Sequence, residues 1–233
     1  MRTIRITGTG SALPGRIVTN KELEQMVETS DEWIRERTGI GERHVSVGET
    51  VVALASEAAR KALEQAGKRA EEIDLILVAT CSPEQYLPCC ACQVQADIGA
   101  VNALAFDVNA ACSGFLFALN TADAYLRMGL AENALIIGSE VLSKLVDWTD
   151  RGSCILFGDG AGAVVVERCK AESRAVEEKQ IPAAGILGRA LHSDGTGGGV
   201  LQCDARELTT PYARTSAVKT DPNQPVGGRE DFF

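Results

Sequence analysis

The apolar positions along the chain change period several times, and each change marks an element. Arg2–Thr7 alternates as a strand and runs into a glycine- and proline-rich stretch, Gly8 to Arg16, that reads as turn. Asn20–Glu28 predicts a helix capped by Asn20, with Leu23 and Val27 on one face. A second helix follows at once, where Ser30 caps Asp31–Arg37, Asp31 and Glu32 sit in its positive first turn, and Gly39 closes it. From Thr50 to Ala66 an apolar stripe through Val51, Leu54, Ala58, Ala62 and Leu63 predicts a third helix, stopped by Gly67.

Ile73–Thr80 is an unbroken apolar run, the pattern of a strand buried on both faces. Helix Ala91–Gly99, strand Ala103–Val108, helix Ser113–Met128 with Gly129 after it, and strand Ala134–Gly138 continue the alternation. After a polar loop, Phe157–Arg168 turns into a strand. Alternating strands and helices predict an α/β layered fold with a mostly parallel sheet. Cys169–Pro182 is charged and reads as a solvated connection, and Gly185–Gly195 as a further strand. Beyond it the sequence is rich in Gly, Thr, Pro and Asp with little periodicity, which suits a stretch supporting a site or a partner surface.

Composition narrows the function. The chain has 233 residues, 45% of them hydrophobic, ample for a buried core. Its 23 Lys+Arg against 32 Asp+Glu leave a net charge of −9, which argues against nucleic acid and anionic membranes as partners. The N-terminus is too polar for a signal peptide, and no apolar run reaches the roughly 18 residues of a membrane span. A cytoplasmic location is expected, with the eight cysteines as thiols.

Gly8-Thr9-Gly10 follows a strand but lacks the third glycine of a dinucleotide loop, since Leu13-Pro14 stands there, so a tight turn is the better account. Gly158–Gly162 lacks the Lys-Ser/Thr of a phosphate loop and reads as turns or close packing. Cys89 and Cys92, with Cys81 and Cys90 nearby, have a C-x-x-C spacing, yet no second ligand pair accompanies them. Buried small thiols are the better reading, and no metal is expected.

Cys112 differs by position. A strand delivers the chain to Asn109–Ala111 and a helix starts at Ser113, a setting that stabilises a thiolate and offers amides to an oxyanion. Ala110, Ala111, Ser113 and Gly114 leave room for a carbonyl. A core cysteine is the competing account. His192 and His44 lie in loops and neither stands out as a base. Trp33, Arg35, Arg37 and Arg43 crowd one helix end, a combination suited to a phosphorylated nucleotide, with surface Arg–Glu pairs as the alternative.

TSDEWIRERTGI, DVNAACSGF and DWTDRGSCILFGDGAGAVVVE occur in the order found in beta-ketoacyl-acyl-carrier-protein synthase III, and the chain resembles that family over essentially its whole length. The resemblance implies a thiolase-like layered αβαβα sandwich, a homodimer, an N-terminal half over residues 1–170, and a connection and first part of the C-terminal half over 171–233. It implies that Cys112 takes an acyl group from acyl-coenzyme A, the substrate rather than a cofactor, for condensation with malonyl-acyl-carrier protein in type II fatty-acid synthesis. Trp33, Arg37 and Arg151 match coenzyme A contacts, Leu142 and Phe157 acyl-pocket positions, and Leu87 a residue facing the partner's pocket. Cys81 and Leu87 stand where well-known members have threonine and phenylalanine, leaving the acyl preference open. The family's decarboxylation-promoting histidine and asparagine belong to segments that would follow Phe233, so the C-terminal half is expected to be truncated and the chain incomplete for condensation. A related synthase of secondary metabolism, or a non-catalytic chain that only dimerises, are the alternatives.

Overall fold

The computed structural model describes residues 2–170, 173–176, 179–182 and 185–203. Its strands are β1 (Arg2–Ala12), β2 (Arg16–Thr19), β3 (Glu42–Val45), β4 (Leu75–Ala79), β5 (Leu104–Val108), β6 (Asn133–Val141), β7 (Asp159–Lys170), β8 (Ser173–Val176) and β9 (Lys179–Pro182). The helices are α1 (Asn20–Leu23), α2 (Asp31–Thr38), α3 (Val51–Ala66), α4 (Cys90–Ile98) and α5 (Gly114–Met128). Contacts divide the chain into two units, Met1–Arg16 with His44–Val141 and Asp159–Leu191, and Ile17–Arg43 with Leu142–Gly158 and His192–Phe233.

The first unit is built on a sheet of order β1-β7-β6-β4-β5. β4 runs parallel to β5 and β6, while β7 lies antiparallel to both β6 and β1, so the sheet is mixed rather than mostly parallel. The unbroken apolar run of β4 is explained by helices on both faces. Leu75, Leu77 and Ala79 join Ala118, Ala122 and Leu126 of α5, whereas Ile76 and Val78 join Leu54, Ala58 and Ala62 of α3 and Val94 of α4. Fully burying each large aliphatic side chain contributes about 1.5–3 kcal/mol.

β1 runs through the stretch that the sequence pattern gives to a turn. α3 crosses it so closely that a Cβ on Gly8 would stand 2.2 Å from the Ala62 carbonyl oxygen, and one on Gly10 2.2 Å from that of Ala58. Gly8-Thr9-Gly10 is therefore a strand–helix packing seam and not a turn. Two other expectations change. Cys169–Pro182 contains the antiparallel hairpin β8–β9, and Gly185–Gly195 is not a strand, although Ile186 packs into the cluster beneath α5. The irregular sequence after residue 203 lies outside the described residues.

The second unit has its own small core of Leu23, Ile34, Cys154 and Ile155, with Val18, Val27, Trp33 and Trp148 packed around it. α1 stops at Leu23, short of the predicted end at Glu28, and Thr19 rather than Asn20 is its cap. Asn20 is buried instead. Its amide donates to Asp31 Oδ1 (2.8 Å) and the Ile40 carbonyl (2.7 Å), and its Oδ1 accepts from Arg43 (2.9 Å). Ser30 caps α2 as predicted, accepting from the Trp33 amide at 3.1 Å, and Thr50 caps α3 through Ala53 at 3.0 Å. Gly39 and Gly67 end these helices where the sequence places them.

Candidate active site

Cys112 lies in a short 3-10 turn, Ala111–Ser113, between β5 and α5. The turn reverses direction at Ala111, whose φ of 45° is in the left-handed region. For a residue carrying a Cβ this conformation costs about 1–2 kcal/mol, and such local strain gathers at functional sites. α5 then starts at Gly114, buried against β4, where an added Cβ would meet that of Ala79 at 3.1 Å. This close start leaves Cys112 exposed at the end of the strand layer.

Ser113 precedes α5 without a side-chain capping bond, so the helix's positive end is not answered by that hydroxyl. The amides are partly committed. Ser113 N–H donates to the Ala110 carbonyl at 3.1 Å and Gly114 N–H to that of Ala111, which removes them from the set the sequence offers to an oxyanion.

Two carboxylates that the sequence pattern passes over fix the neighbouring strand ends. Asp107 accepts from the amides of Cys90 (2.9 Å) and Ala91 (2.7 Å), tying β5 to the start of α4. Glu140 accepts from the Cys81 amide (2.8 Å), the Thr80 hydroxyl (3.2 Å) and the Ser82 hydroxyl, and so holds the segment after β4. The Thr80 amide donates to the Val108 carbonyl at 3.3 Å. The carboxyl ends of β4, β5 and β6 are thus joined, the place where open α/β sheets bind ligands. A lone acid at the end of an otherwise apolar strand was the available signal for Glu140.

In the second unit Trp33 packs on the core and presents its ring to two cations. The guanidinium carbon of Arg37 lies 4.4 Å from the ring centroid, and that of Arg151 lies 5.1 Å away. Arg151 also donates to the Glu28 carbonyl at 3.1 Å. Its loop is ordered by acids: Asp150 accepts from the Gly152 amide (2.9 Å) and the Ser153 hydroxyl (2.6 Å), and Asp147 is held below the usual carboxylate range first by the Thr149 hydroxyl and then by its amide. Of the other arginines in the predicted cluster, Arg35 pairs with Asp31 at 2.9 Å. Arg43 is buried, donating to the carbonyls of Val18 (3.3 Å) and Ile155 (3.1 Å) as well as to Asn20, and is structural. Arg37 is within 3.6 Å of Glu36, so the ion-pair alternative is present beside the stacking.

Leu142 opens a turn closed by the Leu145 amide at 2.8 Å, and it and Phe157 are half-buried. Leu87, in the first unit, is 85% exposed. His44 Nδ1 is 2.6 Å from the Pro14 carbonyl oxygen, a structural contact, and His192 is exposed in the second unit. Among the cysteines, Cys90 is buried as expected, but Cys89 is half-buried and Cys92 exposed, so buried packing does not account for that pair.

The sequence profile of the 3-oxoacyl-[acyl-carrier-protein (ACP)] synthase III family matches residues 106–195, the segment that carries Cys112. A beta-ketoacyl-[acyl-carrier-protein] synthase III of Clostridium acetobutylicum is 47% identical over 232 residues, covering 100% of this chain and 67% of the relative. The crystal structure of the 3-oxoacyl-[acyl-carrier-protein] synthase III of Aquifex aeolicus superposes with a TM-score of 0.71 at 51% identity, covering 73% of this chain and 55% of that one. The priming beta-ketosynthase of the R1128 polyketide biosynthetic pathway gives the same TM-score of 0.71 at 38% identity, covering 74% of this chain and 52% of that one. The thiolase-like fold is common to these relatives and this chain.

Proposed function

Because the chain belongs to the beta-ketoacyl-[acyl-carrier-protein] synthase III family, we propose that it is an acyltransferase priming type II fatty-acid synthesis through a thioester on Cys112. The observation that carries this reading is the exposed sulfur of Cys112 on the strained turn between β5 and α5, within the segment matched by the family profile. In the first half-reaction the Cys112 thiolate attacks the thioester carbonyl of acyl-coenzyme A, the new carbon–sulfur bond forms, and coenzyme A leaves as its thiol after taking a proton. In the second, malonyl-acyl-carrier protein loses carbon dioxide and the resulting carbanion displaces Cys112.

The ring of Trp33 with the guanidinium groups of Arg37 and Arg151 suits the nucleotide end of coenzyme A, an aromatic face beside two fixed positive charges. Leu142 and Phe157 are assigned to the acyl pocket, and the partner subunit's Leu87 to its far wall in a homodimer. Support for the dimer is the edge position of β5 in the sheet and the exposure of Leu104 and Leu87. A cytoplasmic setting belongs to the same reading. Among the described residues no helix is long and apolar enough to cross a membrane.

Intact-mass measurement after exposure to acetyl-coenzyme A tests the first step. One acetyl group on the chain, absent from Cys112→Ala, is expected, and acetylation that persists in that variant sinks the assignment. The likeness to the R1128 priming synthase favours a second reading, priming of a polyketide chain. Condensation assays with fatty-acid and polyketide carrier proteins as alternative acceptors separate the two.

A further inference from the structure

Cys89 immediately precedes α4 in extended backbone, with φ −65° and ψ 154°, and Cys92 completes the helix's first turn. Residues at these two positions face each other, which is how a capping side chain reaches the third helical residue. A disulfide spans roughly 4 Å between Cβ atoms, a reach suited to two side chains that meet over one helical turn. Cys89 makes no capping bond to the helix amides. The Asp107 carboxylate takes two of them, at Cys90 and Ala91, so the Cys89 sulfur is left to its neighbour.

That neighbour responds. The Cys92 thiol is pushed up from its ordinary range chiefly by its hydrogen bond to Cys89, then by burial and by the charges of Cys89 and Asp107. Its Sγ also lies 3.6 Å from the Ala105 carbonyl oxygen on β5. Cys92 is exposed to solvent and Cys89 half-exposed, while Cys90 between them is buried in the core cluster of α3 and α4. The burial pattern selects the outer two of the three cysteines.

We infer that Cys89 and Cys92 close reversibly into a disulfide, a thiol switch separate from Cys112. The co-reactant is a low-molecular-weight disulfide of the glutathione type. Cys92, the exposed sulfur, gives its proton to water and attacks the disulfide, forming a mixed disulfide and expelling one thiolate. Cys89 then loses its proton and attacks the Cys92 sulfur, expelling the second. Two protein thiols are oxidised by two electrons, and one external disulfide is reduced to two thiols. The protonated state of Cys92 makes the first step slow at neutral pH and faster as pH rises. Closure also detaches Cys92 from the Ala105 carbonyl, loosening α4 from the strand that leads to Cys112.

The test uses the full chain with Cys112→Ala, treated with oxidised glutathione at mildly alkaline pH and mapped by fragmentation mass spectrometry. Expected is the loss of two hydrogens localised between Cys89 and Cys92, with no glutathione retained there and full reversal by dithiothreitol. Adding Cys89→Ser should leave glutathione attached to Cys92. A glutathione adduct that persists on Cys92 with Cys89 intact, or a bond localised to Cys81 or Cys90, overturns the proposal. So do free thiols at both positions once the exposed Cys203 has been modified under the same conditions.

Discussion

Arg151 and Trp33 meet across the second unit, the guanidinium carbon 5.1 Å from the indole centroid, on a ring that Arg37 approaches to 4.4 Å. Two like charges beside one ring repel each other, and an anionic ligand relieves that repulsion. Arg37→Ala and Arg151→Ala should each weaken coenzyme A binding by about 1.5 kcal/mol, roughly tenfold in Kd. Titration calorimetry at several salt concentrations checks this. The loss should shrink as salt screens the charges, and an unchanged Kd in both variants counts against the nucleotide assignment.

Gly8 and Gly15 occupy the same glycine-rich stretch but differ in surroundings. A Cβ on Gly8 meets the Ala62 carbonyl oxygen at 2.2 Å, whereas one on Gly15 meets nothing within 4 Å. Gly8→Ala should therefore cost about 3 kcal/mol or more, since neither strand nor helix backbone can yield. Gly15→Ala should change stability by less than about 1 kcal/mol. Urea unfolding of the two variants side by side decides, and equal midpoints would refute the seam.

Asp31 supplies a pH-dependent link in the second unit. Its carboxyl is held below the usual range first by the Asn20 amide and then by Arg35. A folded-state pKa below the unfolded one contributes stability that is complete above the unfolded value, about 3.9, and is lost as pH falls through the folded value. The difference in unfolding midpoint between wild type and Asp31→Ala should thus be largest near neutrality and shrink below about pH 4. A difference that grows in acid would contradict the linkage.

Asp107→Ala leaves the amides of Cys90 and Ala91 without their carboxylate and should cost about 1–2 kcal/mol. The same change removes one of the charges that keep Cys92 protonated, the last in order after the Cys89 hydrogen bond and burial. Alkylation of Cys92 near neutral pH should therefore quicken modestly. Peptide-resolved iodoacetamide labelling measures it, and slower labelling would be the contrary result.

What the sequence makes legible is local. The caps Ser30 and Thr50 and the stops Gly39 and Gly67 fall where expected, because a cap and the stripe beside it are written within a few residues. The buried run of β4 is legible for a similar reason, each residue having a helix on its own side. Gly8 and Gly10 mislead because what forbids a side chain there is α3, dozens of residues on. Asn20 looks like a cap and is a buried strut, since its partners Asp31, Ile40 and Arg43 are gathered only by folding. Arg151 reaches the candidate site through resemblance alone, and no spacing rule connects it to Trp33. The two supporting acids, Asp107 and Glu140, are ordinary strand-end residues until the amides they hold are seen.

The left-handed backbone at Ala111 sets the mutational prospects of the site. Among the residues one base from an alanine codon are glycine, valine and, for some alanine codons, aspartate, and these three outcomes are unequal. Glycine adopts the required conformation freely but gives the unfolded chain more room. Aspartate tolerates it and brings a negative charge beside Cys112, opposing the thiolate that the proposed reaction needs. Valine, branched at Cβ, opposes the turn itself. Drift at codon 111 is thus channelled by geometry before selection on chemistry begins.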